Sequence, residues 1–258
     1  LSTATLQVCV LASGSRGNAV FISDGATTVL VDAGLSGIEI QRRLGARGLA
    51  DRRIDAIVVT HEHNDHIQGV GVLSRRFKIP VYVSSPTLAA AAAPMGKVFA
   101  QHSFVCGRAF AVGRLAFHPF ATSHDAADPA GFVIGCGGIK IGIATDLGIA
   151  TGLVRTHLQT CDLLVLEANH DPLMLEQGPY PWPLKQRIKG RSGHLSNQDS
   201  RCLLQDLRHD GLRHVVLAHL SEINNTPEMA VAEVSQALSG RTQLHVALQD
   251  KPTPVFGL

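Results

Sequence analysis

Aromatic residues are scarce. Nine phenylalanines, two tyrosines and one tryptophan among 258 residues supply no row of stacking platforms of the kind that sequence-tolerant single-strand binders use. Cysteine is scarce as well: Cys9, Cys106, Cys136, Cys161 and Cys202 are odd in number, scattered and without a C-x-x-C pair, which excludes a disulfide framework and a zinc ribbon and fits a reducing compartment. An excess of one charge is missing too. Twenty-three Lys and Arg against 21 Asp and Glu leave a net charge of +2, so a polyanionic partner has to be read from local patches. No apolar run approaches the roughly 18 residues of a spanning helix, and residues 1–11 carry neither the basic start nor the cleavage site of a secretory signal; the expectation is a cytoplasmic protein without membrane contact. What the chain does have is a 45% hydrophobic, 17% charged composition and 13 histidines. The first excludes disorder. The second is unusual.

Short β-branched runs alternate with helical patterns. Residues 6–11, 19–22 and 28–31 read as strands, separated by Ser13-Gly14-Ser15-Arg16-Gly17-Asn18 and Asp24-Gly25. Helix, strand and helix follow at 36–44, 54–60 and 67–77, then a strand at 81–83 and an Ala-rich helix at 86–93. Strands dominate 98–144, at 114–120, 132–134 and 139–143. The remainder reads as a helix at 153–159, a strand at 163–166, a Pro-rich basic stretch at 179–191 and a helix opened by Ser196 with Asp199. A strand at 214–218, a helix capped by Thr226 ahead of Pro227 and a strand at 243–247 complete it. No repeat and no linker divides the chain. This order predicts two sheets with helices outside, in one compact domain over residues 1–258.

The sharpest motif is Thr60-His61-Glu62-His63-Asn64-Asp65-His66, where an apolar strand ends and a helix begins. Alternate side chains of an extended segment share a face, so His61 and His63 can bind one metal ion; as the chain turns into the helix, Asp65 and His66 can reach a second. Further ligand types stand just past other apolar strands: His124 after Phe120-Ala121-Thr122, Asp146 after Ile143-Ala144-Thr145, and His219 after Val215-Val216-Leu217-Ala218.

These residues resemble the H-x-H-x-D-H pattern of the metallo-β-lactamase superfamily, and the likeness covers nearly the whole chain, with Asp32 on the family's early aspartate. The resemblance implies an α/β fold, a four-layer αβ/βα sandwich, around a dinuclear centre. His61, His63 and His124 would hold the first metal and Asp65, His66 and His219 the second, with Asp146 bridging and Asp32 behind them as an orienting group. The superfamily hydrolyses lactams, thioesters and phosphodiesters, so the fold does not choose the substrate. Asp146 stands at the strand end, and Cys136 lies ten residues earlier, a departure from the best-known lactamases. Glu167 and His194, in Gly193-His194-Leu195-Ser196-Asn197, resemble the Glu and His that ribonuclease Z-type nucleases add to the ligands. A histidine held by a carboxylate can stay protonated and deliver its proton to a departing sugar oxygen. Together with Ser13 to Asn18, His124-Asp125-Ala126, Thr145-Asp146-Leu147-Gly148 and Glu167-Ala168-Asn169-His170-Asp171, these residues resemble the YycJ/WalJ group of the superfamily. That implies a 5′ to 3′ double-stranded DNA exonuclease with two divalent ions, Asp65 orienting the attacking hydroxide. The histidines suit zinc, and the carboxylates also suit manganese or iron.

Basic residues give modest support for nucleic acid. Lys185, Arg187, Lys189 and Arg191 precede His194 and are expected to touch phosphate. Arg16 is either a further phosphate contact or part of a tight turn that needs Gly and Asn. Arg42, Arg43, Arg47, Arg52 and Arg53 read equally as a patch or a solvated face. His170, beside an Asp171-Pro172 helix start, is expected behind the ligands; His102, His118, His157, His209, His214 and His245 read as structural or exposed, and Trp182 as a loop anchor. Two rivals stay open: a ribonuclease or small-ester or thioester hydrolase of the same superfamily, and a DNA-binding module with structural metals.

Overall fold

A computed structural model describes residues 6–238 and 240–258. The first half runs β1 (Gln7–Ala12), β2 (Ala19–Ser23), β3 (Thr28–Val31), α1 (Gly37–Gly45), β4 (Ala56–Val58), α2 (Asn64–Ile67), α3 (Val70–Phe77), β5 (Val81–Ser84), α4 (Ser85–Met95) and β6 (Gln101–Phe104). The second runs β7 (Phe110–Val112), β8 (Leu115–Ala121), β9 (Ala130–Cys136), β10 (Ile139–Ala144), α5 (Gly152–Leu158), β11 (Leu163–Glu167), α6 (Pro172–Gln177), α7 (Trp182–Ile188), α8 (Asn197–Leu207), β12 (His214–Ala218), α9 (Pro227–Val234) and β13 (Gln243–Val246). A last short strand, β14 (Phe256–Gly257), returns to pair with β1.

Two seven-stranded sheets result, in the orders β14-β1-β2-β3-β4-β5-β6 and β13-β12-β11-β10-β9-β8-β7. Each begins as an antiparallel meander and continues in parallel, from β3 in the first sheet and from β10 in the second. Both faces of each sheet are covered over its central strands, so β2, β3, β11 and β12 are buried on both sides. In β1, Val8 and Val10 enter the core between the sheets. Cys9 and Leu11, on the opposite face by the two-residue period, pack with Ile40 of α1, Leu73 of α3 and Met95 of α4. On the far side, Val154 of α5, Leu203 of α8 and Ala230 of α9 cover the second sheet. The fold is the four-layer αβ/βα sandwich expected from the sequence. All five cysteines are free thiols, and among the described residues no helix is long and apolar enough to cross a membrane.

The helix expected over 67–77 is broken. Only its first residue, Ile67, belongs to α2, and α3 begins anew after Gly69, whose N–H donates to Ala33 O at 2.7 Å. A Cβ on Gly69 would lie 2.1 Å from Leu35 O, and one on Gly34 would lie 1.6 Å from Asp65 O; backbone running this close beneath α2 leaves no room for a side chain. The stretch 179–191 contains α7 rather than an irregular loop, because its prolines sit at the helix start, where no backbone N–H is needed. The strand expected over 54–60 is regular only over Ala56–Val58.

Candidate metal centre

The chemistry-bearing residues gather where strands of both sheets end. Asp32 follows β3, Asp146 follows β10 and His219 follows β12, and all three have left-handed backbone, with φ of 61°, 55° and 56°. That conformation costs a side-chain-bearing residue about 1–2 kcal/mol. Here it turns each side chain off its strand toward a common point.

Three histidines form one cluster. His63 Nδ1 lies 3.1 Å from His61 Nε2 and 3.2 Å from His124 Nε2. Nitrogens about 2.0–2.1 Å from a tetrahedral zinc ion are about 3.3 Å apart, so the spacing suits a cation. In a second cluster, Asp65 Oδ2 lies 3.5 Å from both His66 Nε2 and His219 Nε2. Asp146 stands between the two, with Oδ2 3.2 Å from His66 Nε2 and Oδ1 3.6 Å from His124 Nε2. Asp146 Oδ2 and His219 Nε2 are buried without a hydrogen-bond partner. Unpaired polar atoms are expensive in such a setting, and a cation would satisfy both.

Hydrogen bonds on the opposite ring nitrogens fix which lone pairs face inward. His66 Nδ1 faces Asp32 Oδ2 at 2.7 Å, and His219 Nδ1 faces Glu167 Oε1 at 2.9 Å. His124 Nδ1 faces Gly193 O at 3.2 Å, and His61 Nδ1 faces the Thr60 hydroxyl at 2.9 Å. Thr60 in turn donates its N–H and its hydroxyl to the two Asp32 oxygens, both at 2.8 Å. Each ring is thereby left with Nε2 toward the clusters.

Charge follows the same plan. Burial would raise Asp146 and Asp65, but the surrounding imidazoles, His219 and His66 above all, hold both carboxyls well below the usual carboxylate range. Glu167 is fully buried, yet His194 and His219 hold it at about 2. Burial pushes His61 and His124 down, which keeps them neutral. His66 and His219 go the other way: burial disfavours their charged form, but Asp146 and the other carboxylates raise both well above the usual value. The positive charge that these buried carboxylates require is carried by His66 and His219, the imidazoles that face Asp146 and Asp65.

Glu167 does more than the sequence disclosed. His194 Nδ1 lies 2.8 Å from Oε1, the oxygen that His219 also uses, and Oε2 accepts from the N–H groups of Leu147 and Leu195 at 2.9 and 3.0 Å. Asn18 was also hidden, in a loop readable as a turn: its Nδ2 donates to Asp65 Oδ2 at 3.1 Å, and neighbouring Ser13 accepts from His219 N at 2.7 Å. Glu62, between the ligand-type histidines, accepts from Ala127 N at 2.7 Å and anchors the loop that carries His124.

The basic residues scatter. Arg187 alone of its group lines the cavity in front of His194 and His219, and its Nε donates to Asp125 at 2.6 Å. Lys185 donates to Glu176 O, Lys189 lies over the Trp182 ring, and Arg191 offers its carbonyl to Ser123. Arg16 pairs with Glu222 at the surface, outside that cavity. Arg43 is buried against Leu11 O and Gln249 O, so it belongs to the core framework. His170 is buried with Nδ1 unpaired, and burial pushes it down to about 4. Trp182 anchors nothing: it is 64% exposed.

Two facing mixed sheets with a histidine-and-carboxylate centre at their shared edge define a metal-dependent hydrolase. The chain belongs to the metallo-β-lactamase superfamily, residues 27–220 matching the family described as "Beta-lactamase superfamily domain", and within it to the kin of YycJ and WalJ. It is 37% identical over 235 residues to "Exodeoxyribonuclease YycJ" of Bacillus anthracis, covering 90% of this chain and 89% of that protein. To "Exodeoxyribonuclease WalJ" of Streptococcus pneumoniae it is 35% identical over 234 residues, covering 89% and 87%. The crystal structure of the metallo-β-lactamase fold protein YhfI from Bacillus subtilis shares the fold, with a TM-score of 0.75 at 16% identity over 96% of this chain and 99% of that one.

Proposed function

We propose that this hydrolase is a double-stranded DNA exonuclease of 5′ to 3′ polarity that works with two divalent ions. In this reading His61, His63 and His124 hold one ion, Asp65, His66 and His219 the other, and Asp146 both. The three-histidine set suits zinc, and the set containing Asp65 also suits manganese or iron. When bound, the ions supply Lewis acidity and ionise water near neutral pH. Asp65 orients the attacking oxygen, and Asp32 and Thr60 keep the imidazoles in register.

The observation that carries phosphodiester chemistry is the His194–Glu167 pair, 2.8 Å apart, with His194 on the cavity wall. The buried carboxylate holds Nδ1 and leaves Nε2 to hand a proton to the departing sugar oxygen. Arg187 is the cation best placed for a phosphate. The names borne by the relatives in Bacillus anthracis and Streptococcus pneumoniae support DNA as the polymer. His194→Ala is expected to lower turnover of end-labelled duplex by about 10²–10⁴-fold while metal content measured by elemental analysis stays at the wild-type level. Equal loss of both would remove His194 from the chemistry. The same assay on single-stranded DNA, on RNA and on small esters tests the choice of substrate.

A further inference from the structure

We propose that helix α7 is a strand-parting ridge: one face holds the terminal nucleotide of the cleaved strand at the metal centre while the other receives the first base and phosphate of the uncleaved strand. This rests on the duplex-exonuclease reading above.

At about 100° per residue, Leu184, Arg187 and Ile188 share one side of α7 and Trp182, Lys185 and Lys189 the opposite side. The first three line the cavity that contains His194 and His219. That cavity is about 200 Å³, below the range of about 300–1,000 Å³ for pockets that enclose drug-sized ligands. On this proposal the cavity takes the terminal nucleotide of one strand, and a paired end opens before it is cut.

The outer face has the chemistry to receive what opening releases. Trp182 is 64% exposed with Lys189 Nζ 5.0 Å from its ring centroid. Among the described residues neither Lys185, whose Nζ donates to Glu176 O, nor Lys189 has a carboxylate partner, whereas Arg187 on the inner face is paired with Asp125. An indole flanked by ammonium groups without carboxylate partners suits a base and its phosphate. No residue of α7 is buried, so core packing does not account for a tryptophan there. Stacking one base on an aromatic ring is of the same order as opening one base-pair step, so Trp182 can offset the cost of parting the end.

Trp182 is the only tryptophan in the chain, so its fluorescence reports the contact directly. A phosphorothioate duplex added to the metal-loaded enzyme is expected to quench it saturably. At saturating substrate, Trp182→Ala is expected to slow a fully paired duplex end about tenfold and to leave a forked, already unpaired end at the wild-type kcat; Trp182→Phe restores most of the loss. Equal slowing on paired and forked ends, no slowing on either, or no quenching would overturn the proposal. A wild-type enzyme inert on every DNA yet active on bis(p-nitrophenyl) phosphate would instead bring down the exonuclease reading, and this inference with it.

Discussion

The residues nearest the clusters are held by others outside the two proposed ligand sets, and their removal separates positioning from ligation. Thr60 is the clearest case. Its hydroxyl joins His61 Nδ1 to Asp32 Oδ2, so Thr60→Val leaves the His61 ring nitrogen without that partner and Asp32 Oδ2 with His66 Nδ1 alone. Groups that orient metal ligands are worth about 10–100-fold in metal affinity, and that loss is expected in a titration against a competing chelator. Thr60→Ser keeps the hydroxyl and should keep the affinity; a valine variant that binds as tightly as wild type would contradict the assignment. Glu167 is the second case, since a single oxygen serves both His194 and His219. Glu167→Gln removes the charge from both at once and sets an amide NH₂ against histidine or backbone donors. Turnover and retention of the ion beside His219 should therefore fall together, whereas His194→Ala lowers turnover alone. Loss of turnover at full metal content in Glu167→Gln would confine its influence to His194.

Among the elements, α1 ties the first helical layer to the sheet through charge. Glu39 accepts from Arg42 and Arg43, and Arg43 donates to the carbonyls of Leu11 and Gln249 at 2.9 and 2.8 Å. The hydrogen bond from Arg42 opposes burial and, with Arg43, holds Glu39 at about 2, below its value of 4.5 in the absence of partners. A folded-state value below the unfolded one means that the unfolded chain binds the extra proton. The stabilisation is therefore complete above about 4.5 and is lost as pH falls toward 2. Urea unfolding of Glu39→Gln between pH 5 and pH 3 should show a flatter dependence of stability on pH than wild type; identical slopes would exclude the carboxylate as a contributor. At α8, Ser196 and Asp199 form a reciprocal capping box, so Ser196→Ala should cost about 1 kcal/mol, read as a lowered midpoint in the same experiment. Caps of this kind, the apolar strands and the ligand types at their ends are local patterns, and all were legible in the chain. What was not legible depends on contacts distant in sequence. The break at Gly69 exists because Leu35 O passes beneath it, and Glu167 meets His219 only because β11 and β12 are neighbours. Asn18 reads as a turn residue until Asp65 is seen beside it. The prolines around Trp182 hid α7 by resembling a helix breaker while occupying a helix start.

Taken whole, the molecule is two similar halves closed at two ends by different means. At the end away from the clusters, Arg114 in the β7–β8 turn reaches Asp24 in the β2–β3 turn at 3.1 Å, and apolar packing between the sheets fills the middle. At the other end the facing groups are ligand types: His61, His63, Asp65 and His66 come from the first sheet's side, His124, Asp146 and His219 from the second's. Without a cation, that end brings buried carboxylates and imidazoles together with two polar atoms left unpaired. Ions seated there would join the halves, and folding free energy would then include metal binding by mass action, about 2.7 kcal/mol at a free ion concentration one hundred times the Kd. For a chain of this size each kcal/mol moves the midpoint by about 2–4 °C, so stripping the ions with a chelator should lower Tm by about 5–10 °C and readdition should restore it. The stripped protein should still unfold cooperatively, because the inter-sheet core and the Arg114–Asp24 contact do not depend on the ions. His63→Ala removes a proposed ligand that is partly exposed and contributes little packing, so it should leave the stripped Tm near wild type and shrink the metal-induced rise. A rise of full size in His63→Ala, or a wild-type Tm indifferent to chelation and readdition, would mean that the clustered side chains do not hold ions across the two halves.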